Sequence, residues 1–207
     1  MPETYISRIS KEDIEQFPLA EYQGNIELVD SYEKLEAALE DCFQTPVLGF
    51  DTETRPAFQK GVQYPVSLIQ LATGNTVYLI RLNLLEITEA LSQLLSDENI
   101  VKAGVALHQD LQGLNALKPF RPGGFVDLSH MARERQIETL GLRSLAAIVL
   151  GVRISKRAKL SNWAKPELTE EQIVYAATDA WISREIYLGF MGNPKDPVSV
   201  SKETLKS

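Results

Sequence analysis

The segment Val47-Leu48-Gly49-Phe50-Asp51-Thr52-Glu53 is an apolar stretch that ends in two carboxylates. Its apolar start is typical of a β-strand that is covered on both faces. Side chains two residues apart on a strand point to the same face, so Asp51 and Glu53 converge. Converging carboxylates repel each other unless cations neutralise them, which suggests a site for divalent metals. On its own, an Asp-x-Glu pair is also a common arrangement of surface charges, and both interpretations stay open at this point.

Strands and helices alternate on both sides of this segment. Further strands are predicted at 26–29, 66–72, 76–80 and 101–106, and the turn at Gly74-Asn75 makes the second and third of them an antiparallel hairpin. Helices are predicted from the capping residue Asp30 to about 42, and at about 84–96, 109–117, 128–135, 141–150 and 169–191. This alternation indicates an α/β fold with a mixed central sheet and helices on both faces. Open sheets of this kind place their sites at the carboxyl ends of strands, where Asp51 and Glu53 lie.

The last predicted helix carries a second pair of polar residues. Thr169 and Gln172 form a capping box at its start. Tyr175 and Asp179 are four residues apart, so they are neighbours on one face of the helix. Taken alone they are typical of a surface pair beside a packed face. Together with Asp51 and Glu53 they favour carboxylates gathered from distant segments with a phenol beside them.

Asp110 lies where the 101–106 strand gives way to a helix. An aspartate at a helix start commonly stabilises the N-terminus through the helix dipole. The same position is at the carboxyl end of a strand, so Asp110 lies near Asp51 if the two strands are neighbours. The residues alone leave both roles open.

Composition sets the broad class. The chain has 207 residues with 44% hydrophobic and 24% charged content, which is ordinary for one globular domain. A basic, apolar signal peptide is not visible at the N-terminus, and no apolar run approaches the roughly 20 residues that cross a bilayer. The single cysteine, Cys42, excludes a disulfide within the chain and a cysteine-based zinc cluster. We therefore expect a protein of the reducing cytoplasm, without a membrane partner.

Charge is distributed unevenly along the chain. The net charge is −7, but residues 1–41 hold eleven acidic and three basic residues, so the remainder sums to +1. From Thr139 to Pro166 the chain has six basic residues and no acidic one, and four of them lie within 153–159. Basic runs are often solvated loops. The alternative is a strip that contacts phosphates just before the last helix, so the overall acidity does not exclude a nucleic-acid substrate.

Four segments, taken in order, resemble the exonuclease motifs of the DEDD superfamily, tyrosine subtype, as found in ribonuclease D and in the Werner exonuclease domain. The segments are Phe50-Asp51-Thr52-Glu53, Gln109-Asp110-Leu111, Leu160-Ser161-Asn162-Trp163 and Tyr175-Ala176-Ala177-Thr178-Asp179-Ala180. The resemblance implies a ribonuclease H-like fold and a 3′→5′ exonuclease that releases nucleoside 5′-monophosphates. The histidine subtype has a histidine five residues before the last aspartate, where this chain has Val174.

The resemblance also implies the roles of individual residues. Asp51, Glu53, Asp110 and Asp179 would bind two Mg²⁺ or Mn²⁺ ions, and Tyr175 would orient the attacking water. The substrate would be single-stranded nucleic acid, or the 3′ end of a recessed or overhanging strand. Its candidate ligands are Arg153, Lys156, Arg157, Lys159, Asn162 and Trp163. A non-catalytic nucleic-acid-binding module and a hydrolase of short oligonucleotides are the alternatives, and DNA and RNA are not distinguished.

The sequence indicates one catalytic domain. We expect an extended N-terminal lead-in at 1–24, the exonuclease domain at 25–191, and a polar C-terminal tail at 192–207.

Overall fold

A mixed β-sheet forms the centre of the computed structural model, which describes residues 5–59, 61–158 and 160–192. Within these residues the sheet has six strands in the order β1-β4-β3-β2-β5-β6. The strands are β1 Asn25–Val29, β2 Val47–Thr54, β3 Val66–Ala72, β4 Thr76–Arg81, β5 Val101–Gly104 and β6 Phe125–Asp127. The predicted α/β class and the ribonuclease H-like mixed sheet are confirmed.

The pairing of β2 decides where the site lies. β2 runs antiparallel to β3 on one side and parallel to β5 on the other, with Val47 opposite Val101. Because parallel neighbours end at the same edge of a sheet, the carboxyl end of β2 lies beside the connection that follows β5. The predicted hairpin is present as the antiparallel pair β3–β4.

Helices cover both faces of the sheet. Their bounds are α1 Lys11–Ile14, α2 Tyr32–Gln44, α3 Glu89–Ser96, α4 His108–Leu117, α5 Leu128–Glu134, α6 Leu142–Leu150 and α7 Glu170–Phe190. Side chains of α2, α3 and α4 share one apolar core with Phe50 of β2, whereas α5, α6 and α7 form the core on the other face. This division leaves alternate residues of β2 facing different helices.

The contact between α7 and β2 is close enough to require glycine. A Cβ on Gly49 would lie 1.9 Å from the carbonyl oxygen of Ala180. Arg184, one turn further along α7, donates from Nε to the carbonyl oxygen of Val47 at 3.0 Å. The helix therefore lies directly on β2, with Asp179 beside the strand's carboxylates.

The N-terminal segment differs from the extended lead-in that its polar sequence predicts. Residues 5–24, hereafter the N-terminal strap, pack along the domain and contain the short helix α1. Ser10 and Asp13 form a capping box for this helix, and Ile14 and Ala20 of the strap are buried. The buried residues of the strap follow no sustained helical or strand period, which explains why the sequence pattern did not predict this packing.

Some element boundaries also differ from the sequence prediction. The side chain that caps α2 is Ser31 rather than Asp30, which instead accepts a hydrogen bond from Lys34 Nζ at 2.7 Å. α3 begins at Glu89, after the N-cap Thr88, and not near 84. β5 ends at Gly104, because Ala106 has a positive φ of 58° that a strand does not accommodate.

The C-terminal helix ends at Phe190, and the predicted tail lies outside the described residues apart from residue 192. Among the helices that the structure describes, none combines the length and the apolar character that a bilayer crossing needs.

Candidate active site

Three of the predicted carboxylates meet at the carboxyl end of β2. Asp51, Glu53 and Asp179 each place one carboxylate oxygen within 4.8 Å of the others. Asp51 and Glu53 share the face of β2 that contacts α7, and the close contact at Gly49 brings Asp179 to them. Asp179 is buried, whereas the other two are partly exposed. Three acidic groups at this spacing need positive charge to offset their repulsion.

Tyr175 lies beside the same three carboxylates. Burial raises the pKa of its phenol well above the ordinary value, and the negative charges of Asp179, Glu53 and Asp51 raise that pKa further. Its hydroxyl hydrogen-bonds to Asp179. The phenol therefore stays protonated at neutral pH and acts as a hydrogen-bond donor rather than as a base.

Asp110 reaches the site from the other face of the sheet. It lies in the first turn of α4, and its carboxylate accepts a hydrogen bond from the hydroxyl of Thr52. Thr52 stands between Asp51 and Glu53 on β2 but points away from them. Asp110 is thus next to the cluster without belonging to the group of three, and burial raises its pKa. Its predicted role as a metal ligand remains a prediction.

Asp127 holds the connection that carries Asp110. Besides capping α5 through the backbone of Ser129, its carboxylate accepts hydrogen bonds from the backbone N–H groups of Ala106 and Leu107 at 3.1 and 3.3 Å. These bonds fix the left-handed residue Ala106 just before α4. From its position just before α5, a sequence pattern can indicate only a helix-capping role for Asp127, since its contacts across 20 residues depend on β5 and β6 being neighbours.

A cavity of about 540 Å³ opens over the carboxylates. One wall carries Asp51, Glu53, Tyr175 and Asp179. The lining of the same cavity also includes cationic residues from three separate segments, Lys11, Arg143 and Lys156. A cavity lined by both a carboxylate cluster and cationic side chains suits an anionic ligand that is bound together with metal cations.

The basic residues of the predicted phosphate-contacting strip differ in exposure and in the groups that they contact. Lys156 is exposed and lines the carboxylate cavity, and Arg157 is exposed and lines the adjoining cavity, which also contains Tyr175 and Asp179.

Arg153 binds the N-terminal strap: its Nε donates to the carbonyl oxygen of Phe17 at 3.0 Å, and its Nη1 lies 3.8 Å from Glu15. Arg153 also lines the adjoining cavity, and its predicted phosphate contact remains a prediction. Lys159 lies outside the described residues.

The prediction that Trp163 contacts nucleic acid is wrong. Its side chain is 0% exposed, so no face of the indole is available to stack on a base. It packs instead beneath Tyr175, with ring centroids 6.0 Å apart. The neighbouring Asn162 accepts a hydrogen bond from the N–H of Ala164 through Oδ1 at 3.1 Å, and its contact with nucleic acid remains a prediction.

The donor set fits a hard divalent cation. Mg²⁺ and Mn²⁺ prefer carboxylate oxygens, and Asp51, Glu53 and Asp179 supply three of them at close range. Neither histidine nor cysteine belongs to this group, which disfavours zinc. A mixed sheet with an acidic cluster at a strand end is the arrangement of ribonuclease H-like nuclease domains.

Comparison with known proteins agrees with this class. The family model described as 3′-5′ exonuclease matches residues 26–191, and the chain belongs to this family. It is 30% identical to the human exonuclease mut-7 homolog and 32% identical to the mouse bifunctional 3′-5′ exonuclease/ATP-dependent helicase WRN, each over 91% of the chain. The chain spans 25% and 14% of the length of these two relatives.

The fold is also similar to a solved exoribonuclease. Escherichia coli RNase D, whose structure is described as an exoribonuclease involved in structured RNA processing, superposes with a TM-score of 0.74 at 25% identity. The match covers 82% of this chain and 45% of that one.

The carboxylate cluster predicts a measurable metal response. Mg²⁺ or Mn²⁺ should raise the thermal unfolding midpoint of the wild-type protein, because binding only to the folded state stabilises it. Asp51→Asn should lose most of this increase, since it removes one of three clustered charges. In EDTA the variant should unfold at the wild-type temperature or above, because repulsion is relieved.

The control is Glu36→Gln, which removes one charge from an exposed residue of α2 on the other face of the sheet. It should keep the full metal response. An equal metal-induced increase in Asp51→Asn and wild type would exclude Asp51 as a ligand.

Proposed function

We propose that this protein is a 3′→5′ exonuclease of the tyrosine subtype that removes nucleoside 5′-monophosphates from a free 3′-OH end. The observation that carries the proposal is the cluster of Asp51, Glu53 and Asp179 within 4.8 Å, with Tyr175 hydrogen-bonded to it. The membership of the 3′-5′ exonuclease family supports the same reaction.

In this proposal, the carboxylate cluster and Asp110 together bind two divalent ions, Mg²⁺ or Mn²⁺. Asp51, Glu53 and Asp179, with carboxylate oxygens within 4.8 Å of one another, would hold these ions, and Asp110, which is hydrogen-bonded to Thr52, is the candidate fourth ligand. When bound, such ions make water a better nucleophile and stabilise negative charge on the leaving oxygen. The hydrogen bond from Thr52 orients the Asp110 carboxylate toward the strand end.

Tyr175 positions the attacking water. Its raised pKa keeps the hydroxyl protonated, and its proton is donated to Asp179. The phenol oxygen can then accept a hydrogen bond from the attacking water and orient a lone pair of that water toward the phosphorus. The buried Trp163 ring supports the tyrosine from beneath. Removal of the water's proton falls to a carboxylate or to solvent, since the phenol does not ionise at neutral pH.

The substrate we propose is single-stranded nucleic acid or a recessed or overhanging 3′ end. The exposed Lys156 and Arg157 are placed to contact its phosphates near the carboxylate cluster. Its similarity to an exoribonuclease and to a helicase-linked exonuclease supports nucleic acid in general without selecting RNA or DNA. We also propose a cytoplasmic location, which the buried free thiol of Cys42 accommodates.

A time course on 5′-labelled 20-mers of DNA and RNA tests the reaction. With Mg²⁺ or Mn²⁺ we expect a ladder that shortens from the 3′ end, and EDTA should abolish it. A 3′-phosphorylated 20-mer serves as the matched substrate control and should resist cleavage. Binding of the 20-mer without shortening under any of these metals would contradict the proposal and favour a non-catalytic module, and cleavage of a dinucleotide alone would indicate an oligonucleotide hydrolase.

Tyr175→Phe tests the positioning of water. The substitution keeps the ring on Trp163 and deletes the hydroxyl, so kcat should fall by about 10²–10⁴-fold while the metal-induced rise in unfolding temperature persists. Tyr187→Phe, on the same helix, is the control and should keep the wild-type rate. An unchanged kcat in Tyr175→Phe would leave the phenol with a packing role only.

A double variant tests the two exposed cations. Lys156→Ala with Arg157→Ala should weaken binding of a 20-mer and lower the salt slope of binding by about 1.4, because each lost contact to a single strand contributes roughly 0.7. Cleavage of a dinucleotide should change much less, since it offers a single phosphate. Wild-type affinity together with the wild-type salt slope would show that these residues only face solvent.

A further inference from the structure

The N-terminal strap is joined to the segment that precedes Lys156. The backbone N–H of Ala20 donates to the carbonyl oxygen of Arg153 at 2.8 Å, and the N–H of Arg153 donates to Pro18 at 2.9 Å. Glu15 of the strap lies 2.8 Å from Arg143 of α6 and 3.8 Å from Arg153. These contacts hold the strap against the basic side of the active-site cavity.

Further contacts hold the rest of the strap in place. The N–H of Tyr22 donates to the hydroxyl of Thr178 on α7 at 3.0 Å, one residue before Asp179. At the other end, Ser7 and Arg8 bind the carboxylate of Glu138. The strap is therefore fixed at both ends and along its middle, and it forms part of the cavity wall.

Helix α1 of the strap has one buried side chain and one exposed side chain at the cavity. Ile14 is 3% exposed and anchors the helix, whereas Lys11, one turn earlier, is exposed. Both residues line the cavity that contains Asp51, Glu53 and Asp179. Because the capping box of Ser10 and Asp13 fixes the helix start, Lys11 is held at the cavity rather than on a loose terminus.

Lys11 differs electrostatically from Arg143 in the same cavity. Arg143 is neutralised by Glu15 and also donates from Nε to the carbonyl oxygen of Ile154 at 3.1 Å. Lys11 forms no salt bridge with any residue in the described part of the chain. An ammonium group that has no ion-paired carboxylate in the described residues, and that lines the same cavity as the acidic cluster, is suited to a phosphate oxygen.

We propose that Lys11 binds a non-bridging phosphate oxygen of the substrate strand, and that the N-terminal strap is thus part of the substrate-binding site. This inference rests on the proposed exonuclease function and adds a ligand that lies outside the matched family segment, residues 26–191. Lys11 acts as a positioning residue, because its charge favours the strand in the cavity while the reacting water is held at the carboxylates and Tyr175. The segment before residue 26 then contributes to substrate affinity as well as to packing.

Steady-state cleavage of a 5′-labelled 20-mer with Mn²⁺ at several salt concentrations tests the proposal. Lys11→Ala should raise KM by about three- to tenfold, lower the salt slope of log KM by about 0.7, and change kcat by less than about twofold. Lys11→Arg keeps the charge and should restore the wild-type KM and slope. The charge-matched control is Arg121→Ala, whose side chain is 90% exposed and does not line the cavity.

The possible outcomes separate this inference from the proposed function. Cleavage by the wild type, with Lys11→Ala indistinguishable from Arg121→Ala, overturns the role of Lys11 and leaves the exonuclease proposal intact. Absence of cleavage by the wild type with every metal and substrate overturns both. A raised KM in Lys11→Ala with an unchanged salt slope, or with a lowered unfolding temperature that Lys11→Arg does not restore, assigns Lys11 a structural role and also overturns the proposal.

Discussion

The close contact between α7 and β2 is the constraint on which the active site depends. A side chain at Gly49 has no room, because its Cβ would lie 1.9 Å from the carbonyl oxygen of Ala180. Small buried residues on α7, Ala176, Ala177 and Ala180, allow the helix to lie on the sheet at this distance. Only at this separation does Asp179 reach Asp51, two residues beyond the glycine, and place Tyr175 beside both.

The same contact creates an electrostatic cost that the rest of the cavity offsets. Three carboxylates within 4.8 Å disfavour the folded protein by mutual repulsion, and the phenol next to them is held in its neutral form. Cationic side chains from the N-terminal strap, α6 and the segment before α7 line the same cavity as the cluster. Divalent ions would neutralise the carboxylates, and the phosphates of a nucleic-acid strand would neutralise the cationic side chains. The ligands would therefore supply the charges that the free protein lacks.

Local signals in the sequence were sufficient for most of the elements. The apolar run before Asp51 identifies β2, and the Thr169–Gln172 capping box identifies the start of α7, because both depend on neighbouring residues. A sequence pattern was misleading where contacts between distant segments decided whether a side chain is buried or exposed. Trp163 lies in a motif with polar neighbours, yet it is buried against Tyr175, because the packing of α7 on the sheet covers it.

The sequence by itself determined the α/β class, the strand that ends in Asp51 and Glu53, and the one-turn spacing of Tyr175 and Asp179, since these follow from backbone periodicity and from motifs in order. Only the tertiary structure decided that Asp110 approaches from the opposite face through Thr52, and that Lys11 lines the same cavity as the carboxylates. The reason is physical: periodicity fixes which way a side chain points from its own element. The distance between side chains of remote elements depends on how closely those elements pack.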